Sequence, residues 1–379
     1  MNIIQASFVL FLTYLLSLKL GKYFKIDQTK TTVVFVFRTI ICIIYISIAK
    51  NLDFDAYGYY VAAYITESSE KFFTTGLIFT ITRFLREYFY LNIYSVTFLF
   101  SFIGNIGILA LISNIKTFTK NIRGPLKSLS ELVIFFPTLN IWTSAIGKDP
   151  ITFACINLVI YALINIRSRI YILLISSIVF CLVRPFLGIV LLFALTISFT
   201  KNSNLSTLKK LFLGILSFVG IITFNFFNSG LNKFVWLDFF NIDFDLLSQG
   251  IKYYSDTTST GNNAIQLSTI PLPLKLFSFM FRPLFFDARD LFSLLMSFEN
   301  IVILLIFLFL VIYFLKFLKT NLLNLSSLNI FLKIYLTVSW LFYSLTVANL
   351  GTANRYKLMF LPALISLSLI FPLIRIKAS

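Results

Sequence analysis

Apolar runs close to the length of a bilayer crossing recur along the whole chain, each ended by a short polar stretch. They predict about eleven spans, at 2–18, 33–49, 91–113, 130–146, 150–166, 170–184, 186–200, 211–228, 300–316, 328–347 and 357–374. The runs are continuous and do not alternate with period two, which argues against a β-barrel. The expected fold class is therefore all-α: a polytopic transmembrane helix bundle forming one integral membrane domain over 1–379. Several spans are short for a crossing and call for packing within the bundle or pairing as broken helices. Two longer interruptions stand out, 51–90 and 229–299. The first closes on an amphipathic stretch from Lys71 to Arg83-Phe-Leu-Arg86-Glu87 that suits a membrane interface. The second contains Ser255–Ser268, the most loop-like segment, which reads as either a lid or a plain solvated loop. The N-terminus is apolar from Ile3, without a basic leader or a small-residue cleavage site, and predicts a retained span.

Composition agrees: 58% of the 379 residues are hydrophobic, and 46 are Phe. The formal charge of +17 would suit nucleic acid if it were clustered, but the bases are spread between apolar runs, where they act as topology determinants. One set of alternate loops holds Lys19, Lys22, Lys25 and Lys30, then Lys116, Lys120, Arg123 and Lys127, then the bases at 167–169, 201–210, 316–333 and 375–377. Asp27 and Glu131 are the only acids with them. That side is assigned to the cytoplasm, which puts the N-terminus outside, the C-terminus inside, and both 51–90 and 229–299 on the outer face. Of the bases outside those loops, only Arg38 falls deep within a predicted span. Cys42, Cys155 and Cys181 lie in apolar runs and read as small buried hydrophobes. The chain has no histidine, which excludes His-based metal sites, Ser-His-Asp catalysis and His relays.

The remaining charges collect on the outer side. Asp53 and Asp55 occupy the first outer loop, in Asn51-Leu-Asp-Phe-Asp-Ala-Tyr57-Gly-Tyr-Tyr60. One of them suits a helix N-cap; the other role open to them is general base or metal-binding carboxylate. Arg83, Arg86, Arg184, Arg282 and Arg355 suit a phosphate, because arginine forms charged, often bidentate hydrogen bonds and stays charged when desolvated. Carboxylate partners such as Asp149, Asp287, Asp290 and Glu87 would satisfy them equally well. Phe136-Pro137-Thr-Leu-Asn-Ile-Trp142-Thr-Ser-Ala-Ile-Gly147-Lys148-Asp149 predicts a kinked helix end and a tight turn, with Trp142 at an interface or against a sugar face.

The first outer loop with Asp53-Phe-Asp55-Ala-x-x-Tyr-Tyr and the amphipathic stretch behind it resembles the GT-C class of membrane glycosyltransferases. The segments 137–149, Arg184-Pro185, Phe281-Arg-Pro-Leu-Phe-Phe286 and Gly351-Thr-Ala-Asn-Arg-Tyr356 look similar to bacterial O-antigen and capsule polysaccharide polymerases. The resemblance implies a catalytic Asp53 or Asp55, phosphate binding by Arg83, Arg86, Lys148, Arg184, Arg282 and Arg355, and sugar or acceptor contacts from Tyr57, Tyr60, Trp142 and Asp149. It implies a polyprenyl-(pyro)phosphate-linked saccharide donor, a saccharide acceptor, membrane lipids and polysaccharide-assembly proteins as partners, in the bacterial inner membrane. A divalent cation, Mg or Mn, is compatible with the carboxylates. The chain departs from the usual arrangement in its extra N-terminal span and its lack of a soluble C-terminal domain. Two other functions fit the same composition: a transporter or flippase of lipid-linked saccharide or another anion, and a non-catalytic scaffold. A transporter predicts charges deep in the membrane and internal repeats; no repeat is evident.

Overall fold

The computed structural model describes residues 2–49, 55–65, 74–120, 122, 124–202, 214, 244–258, 270–318 and 326–378. Those residues are mostly helical, joined by short turns and loops, with no strand among them. Among the described residues, six helices are long and apolar enough to cross a membrane. The protein is thus a multi-pass helical membrane protein by length and composition, and the chain divides into two compact units, Met1–Pro185 and Phe186–Ser379.

Unit 1 opens with α1 (Asn2–Tyr23) and α2 (Gln28–Ala49), both candidate spans. Asp27 fixes the start of α2 by accepting the Thr29 and Lys30 amides at 3.0 and 3.4 Å. Two shorter helices follow, α3 (Asp55–Ile65) and α4 (Thr74–Phe89), packed on each other. The core helix is α5 (Ile93–Phe118), started by Asn92, whose side chain accepts from the Ser95 amide at 2.9 Å. It packs between α1, α2 and α8 (Lys148–Ile164). The approach to α8 is close because Gly107 has no side chain: a Cβ there would stand 2.7 Å from a Phe153 ring carbon and 2.8 Å from Ala154 Cα. Beyond α8 the chain turns into α9 (Ile166–Val183), which packs back on it.

The span expected at 130–146 is not one helix. It consists of α6 (Pro125–Leu132), a 3-10 turn (Val133–Phe135) and α7 (Pro137–Trp142), of 8, 3 and 6 residues. Pro137 is the cause. It disfavours the helical conformation at Phe136, which is extended (φ −60°, ψ 121°), and it has no N–H to continue the ladder. The Asn140 side chain bridges the break, Nδ2 donating to Ile134 O at 2.9 Å and Phe136 O at 2.8 Å.

Unit 2 contains α10 (Pro185–Asn202), α11 (Phe244–Thr258), α12 (Leu272–Phe281), α13 (Leu291–Leu318), α14 (Ser327–Thr346), α15 (Leu350–Lys357) and α16 (Leu361–Ala378). Its core joins α12, α13, α14 and α16. Three expectations change here. Ser255–Thr258 ends a helix and does not belong to a loop; 259–268 lies outside the described residues, as does the span expected at 211–228. The span expected from residue 300 begins at Leu291, because Asp290 caps it by accepting the Ser293 amide at 2.7 Å. That carries Glu299 into the candidate span Leu291–Leu315, so Arg38 is not the sole charged residue within one. Lys357 ends the short α15, capped at its start by Asn349, and does not open the final long helix.

Candidate functional site

In unit 1 the chain brings several sequence-predicted residues to one end. Asp53 lies outside the described residues, and Asp55 is the first residue of α3. Tyr57 and Tyr60 follow on the same helix, both half-buried. Arg86, in the last turn of α4, donates to Tyr60 O at 3.2 Å and stands 4.8 Å from the Tyr60 ring centroid. Burial pushes the Tyr60 phenol up, and the Arg86 charge pulls the other way. The Tyr60 hydroxyl donates to Leu91 O at 3.1 Å, which ties α3 to the entry of α5. Arg83, one turn earlier on α4, is half-buried.

The tight turn at Gly147 launches α8 with Lys148 and Asp149 in its first turn. Lys148 Nζ donates to Thr75 Oγ1 at 3.1 Å. Asp149, only 3% exposed, pairs with Arg184 at the C-cap of α9 at 2.6 Å. A carboxylate at a helix N-terminus is favoured by the aligned amides, and its arginine caps the other helix. Trp142 ends α7, half-buried, and the Tyr59 ring lies against Gly147. Lys148 and Arg86 mark opposite ends of α4, roughly 16 Å apart along its axis at 1.5 Å per residue. The predicted residues of unit 1 therefore form two neighbouring groups along one helix.

Arg38 sits deeper, 1% exposed, with no carboxylate hydrogen-bonded to it. Nη1 donates to Asn140 Oδ1 and Thr143 Oγ1, both at 2.9 Å. Nη2 donates to Thr143 O at 2.8 Å and Ser101 O at 3.2 Å. Gly104 makes room for this: a Cβ there would collide with Thr143 O and stand 2.6 Å from Nη2. The broken segment of Pro137 thus supplies the acceptors that make a buried guanidinium tolerable.

Unit 2 holds the other predicted cations. Arg282 grips Asp287 with two nitrogens, Nε at 3.0 Å to Oδ2 and Nη2 to Oδ1. Leu284 N–H donates to the same carboxylate at 2.9 Å. Burial disfavours ionisation of Asp287, but these hydrogen bonds and the Arg282 and Arg289 charges outweigh it and hold its carboxyl below the usual range. Arg355 is half-buried on α15.

Sequence reasoning missed the neighbouring group. Lys357, 1% exposed, donates to Asn300 Oδ1 at 2.6 Å and Met280 O at 3.2 Å. Asn300 Nδ2 in turn donates to Pro283 O at 2.9 Å. Glu299, also buried, supplies the opposing charge. The signal was present as Glu299-Asn300 at the edge of a strongly apolar run, but nothing in the order of residues pairs it with position 357. Among the described residues no three or more His, Cys, Asp and Glu side chains cluster as a metal site. Comparisons with protein-family models, with curated proteins and with solved structures found no match for this chain.

Proposed function

We propose that the protein is an integral membrane glycosyltransferase of surface-polysaccharide synthesis. It would transfer sugar or oligosaccharide units from a polyprenyl-(pyro)phosphate donor to a saccharide acceptor at the outer face of the bacterial inner membrane. The bundle would have about eleven spans, with the N-terminus outside. What supports this is the placement of two neighbouring groups, the helix opened by Asp55 with the α4 arginines, and Lys148 with Asp149 and Arg184, toward one end of unit 1, away from the end where the loop lysines gather. Asp53 or Asp55 acts as general base. It takes the proton of an acceptor hydroxyl, whose oxygen bonds to the anomeric carbon. The bond from that carbon to the phosphate oxygen breaks, and the lipid phosphate leaves with the electron pair. Lys148 and Arg184 supply positive charge for that leaving group, the five donors of Arg184 allowing it to keep Asp149 meanwhile. Tyr57, Tyr60 and Trp142 offer ring faces to sugars.

Transport of a lipid-linked saccharide or other anion is the second reading. It is favoured by Glu299 inside a candidate span and by the buried Lys357 beside it. The two separate by glycan length in the native host for Asp53→Asn, Asp55→Asn and Arg355→Ala at matched membrane levels. Loss of long chains with single-repeat material retained is the result expected of a polymerising transferase. Loss of all surface glycan with precursor trapped inside the cell indicates transport, and unchanged glycan in all three variants rejects the assignment of these residues.

A further inference from the structure

At the end of unit 1 remote from Asp149, α2, α5 and α6 enclose a concavity of about 370 Å³. Its position follows from the packing of α5 and α8. Gly107 faces Phe153 and Ala154, and Asn114 bonds to Asn157 O at 3.1 Å, so the two helices run the same way. The concavity is lined by the last turns of α5, roughly 20 Å along the axis from the level of Asp149. Four lysines surround it: Lys30, Lys116, Lys120 and Lys127. Its floor is apolar, made by Ile26, Ile112, Ile115 and Ile134, all buried.

Among the described lining residues, two carboxylates offset the four lysines only in part. Asp27 lines the rim, but its Oδ2 is held by the Thr29 and Lys30 amides at the start of α2. Glu131 is the other carboxylate. No lysine of the four is ion-paired among the described residues. Lys116 donates to the Lys25 carbonyl at 2.8 Å, which anchors its ammonium beside the opening. Lysines are compact, mobile point charges that suit a tetrahedral phosphate, and the volume falls in the range of small-molecule sites.

We propose that this pocket binds a phosphate group attached to an apolar body: phosphate among Lys30, Lys116, Lys120 and Lys127, and the body on the isoleucine floor. The chemistry is shared by an anionic lipid headgroup and by a soluble phosphate ester. It is independent of the transferase reading, which concerns the opposite end of the unit.

The full-length protein in neutral detergent provides the test. Thermal stabilisation is measured on adding dioleoyl phosphatidic acid, dioleoyl phosphatidylcholine or farnesyl diphosphate, with inorganic diphosphate as a fourth probe. Phosphatidic acid or farnesyl diphosphate is expected to stabilise, phosphatidylcholine not, with the apparent affinity of the active probe falling about tenfold or more in Lys120→Gln/Lys127→Gln. Lys120 is exposed and Lys127 half-buried, and neither is ion-paired among the described residues, so the ligand-free melting temperature should hold. Lys22→Gln, an exposed lysine outside the pocket, should leave affinity unchanged. Stabilisation by phosphatidic acid alone identifies a lipid headgroup; stabilisation by farnesyl diphosphate alone identifies a soluble ester. Equal loss in Lys22→Gln, no loss in the double variant, no response to either apolar phosphate, or an equal response to inorganic diphosphate would overturn the proposal.

Discussion

Arg38 is the largest fully buried side chain among the described residues, and the hydrogen bonds of its two terminal nitrogens all go to neutral oxygens. Removing it strands those acceptors. Arg38→Leu leaves Asn140 Oδ1 and the Ser101 and Thr143 oxygens without their donor, at a cost of about 2–4 kcal/mol. The solubilised variant should melt clearly below wild type. Arg38→Lys should recover less than half of the loss, because one ammonium cannot reach the two sides that Nη1 and Nη2 serve. Identical melting of Arg38→Leu and wild type would show that the guanidinium carries no such load. At this scale the sequence was only partly legible. A lone arginine in an apolar run announces that something must compensate it, but its acceptors lie 63 to 105 positions away. Likewise the carboxylate partners named for the arginines included Asp149 and Asp287 but could not choose among them. The structure gives Arg184 the first and Arg282 the second.

Helices pack closely where small residues let their backbones approach, and α5 against α8 is the clearest case. Gly107→Ala drives a methyl into Ala154 backbone and the Phe153 ring, whereas Gly58 on α3 has nothing within 4 Å of the same atom. The two substitutions have opposite expected signs. Gly107→Ala should lower the melting temperature, since an overpacked contact costs about 1–3 kcal/mol. Gly58→Ala should be neutral or raise stability by up to about 1 kcal/mol through helix propensity. A Gly107→Ala protein as stable as wild type would show that α5 and α8 separate without cost to admit the methyl. The helices themselves were largely legible, with 328–347 expected and Ser327–Thr346 found. The failures have local causes. The sequence predicts a kink at a helix end around Pro137, yet with the extended Phe136 it divides the whole expected span, and Asp290 moves a helix start nine residues earlier than the apolar run alone indicates.

For the molecule as a whole, orientation is the property most open to direct measurement. The lysine-rich turns between α1 and α2 and after α5 come together at one end of unit 1, where Lys116 reaches the Lys25 carbonyl. If positive charge sets topology, that end faces the cytoplasm. In a background with Cys42, Cys155 and Cys181 replaced, Gly58→Cys should react with a membrane-impermeant maleimide on intact cells. Lys120→Cys should react only after permeabilisation. Reversed labelling would invert the assigned orientation, and external labelling at both sites would break the expected span order between them.

The sequence by itself determined the solvent of this protein and the kind of structure it builds. Hydrocarbon admits only apolar surfaces and internally satisfied backbones, so long Phe- and Leu-rich runs leave the helix as the one economical answer. It also determined where charge is concentrated, because loop bases are placed by local composition. Tertiary structure alone decided which charges meet. Arg38 with Asn140, Arg184 with Asp149, and Lys357 with Asn300 are unions of distant segments. Each follows from which helix faces pack together, and that is settled by close fits such as Gly104 and Gly107, which no linear pattern of polar and apolar residues encodes.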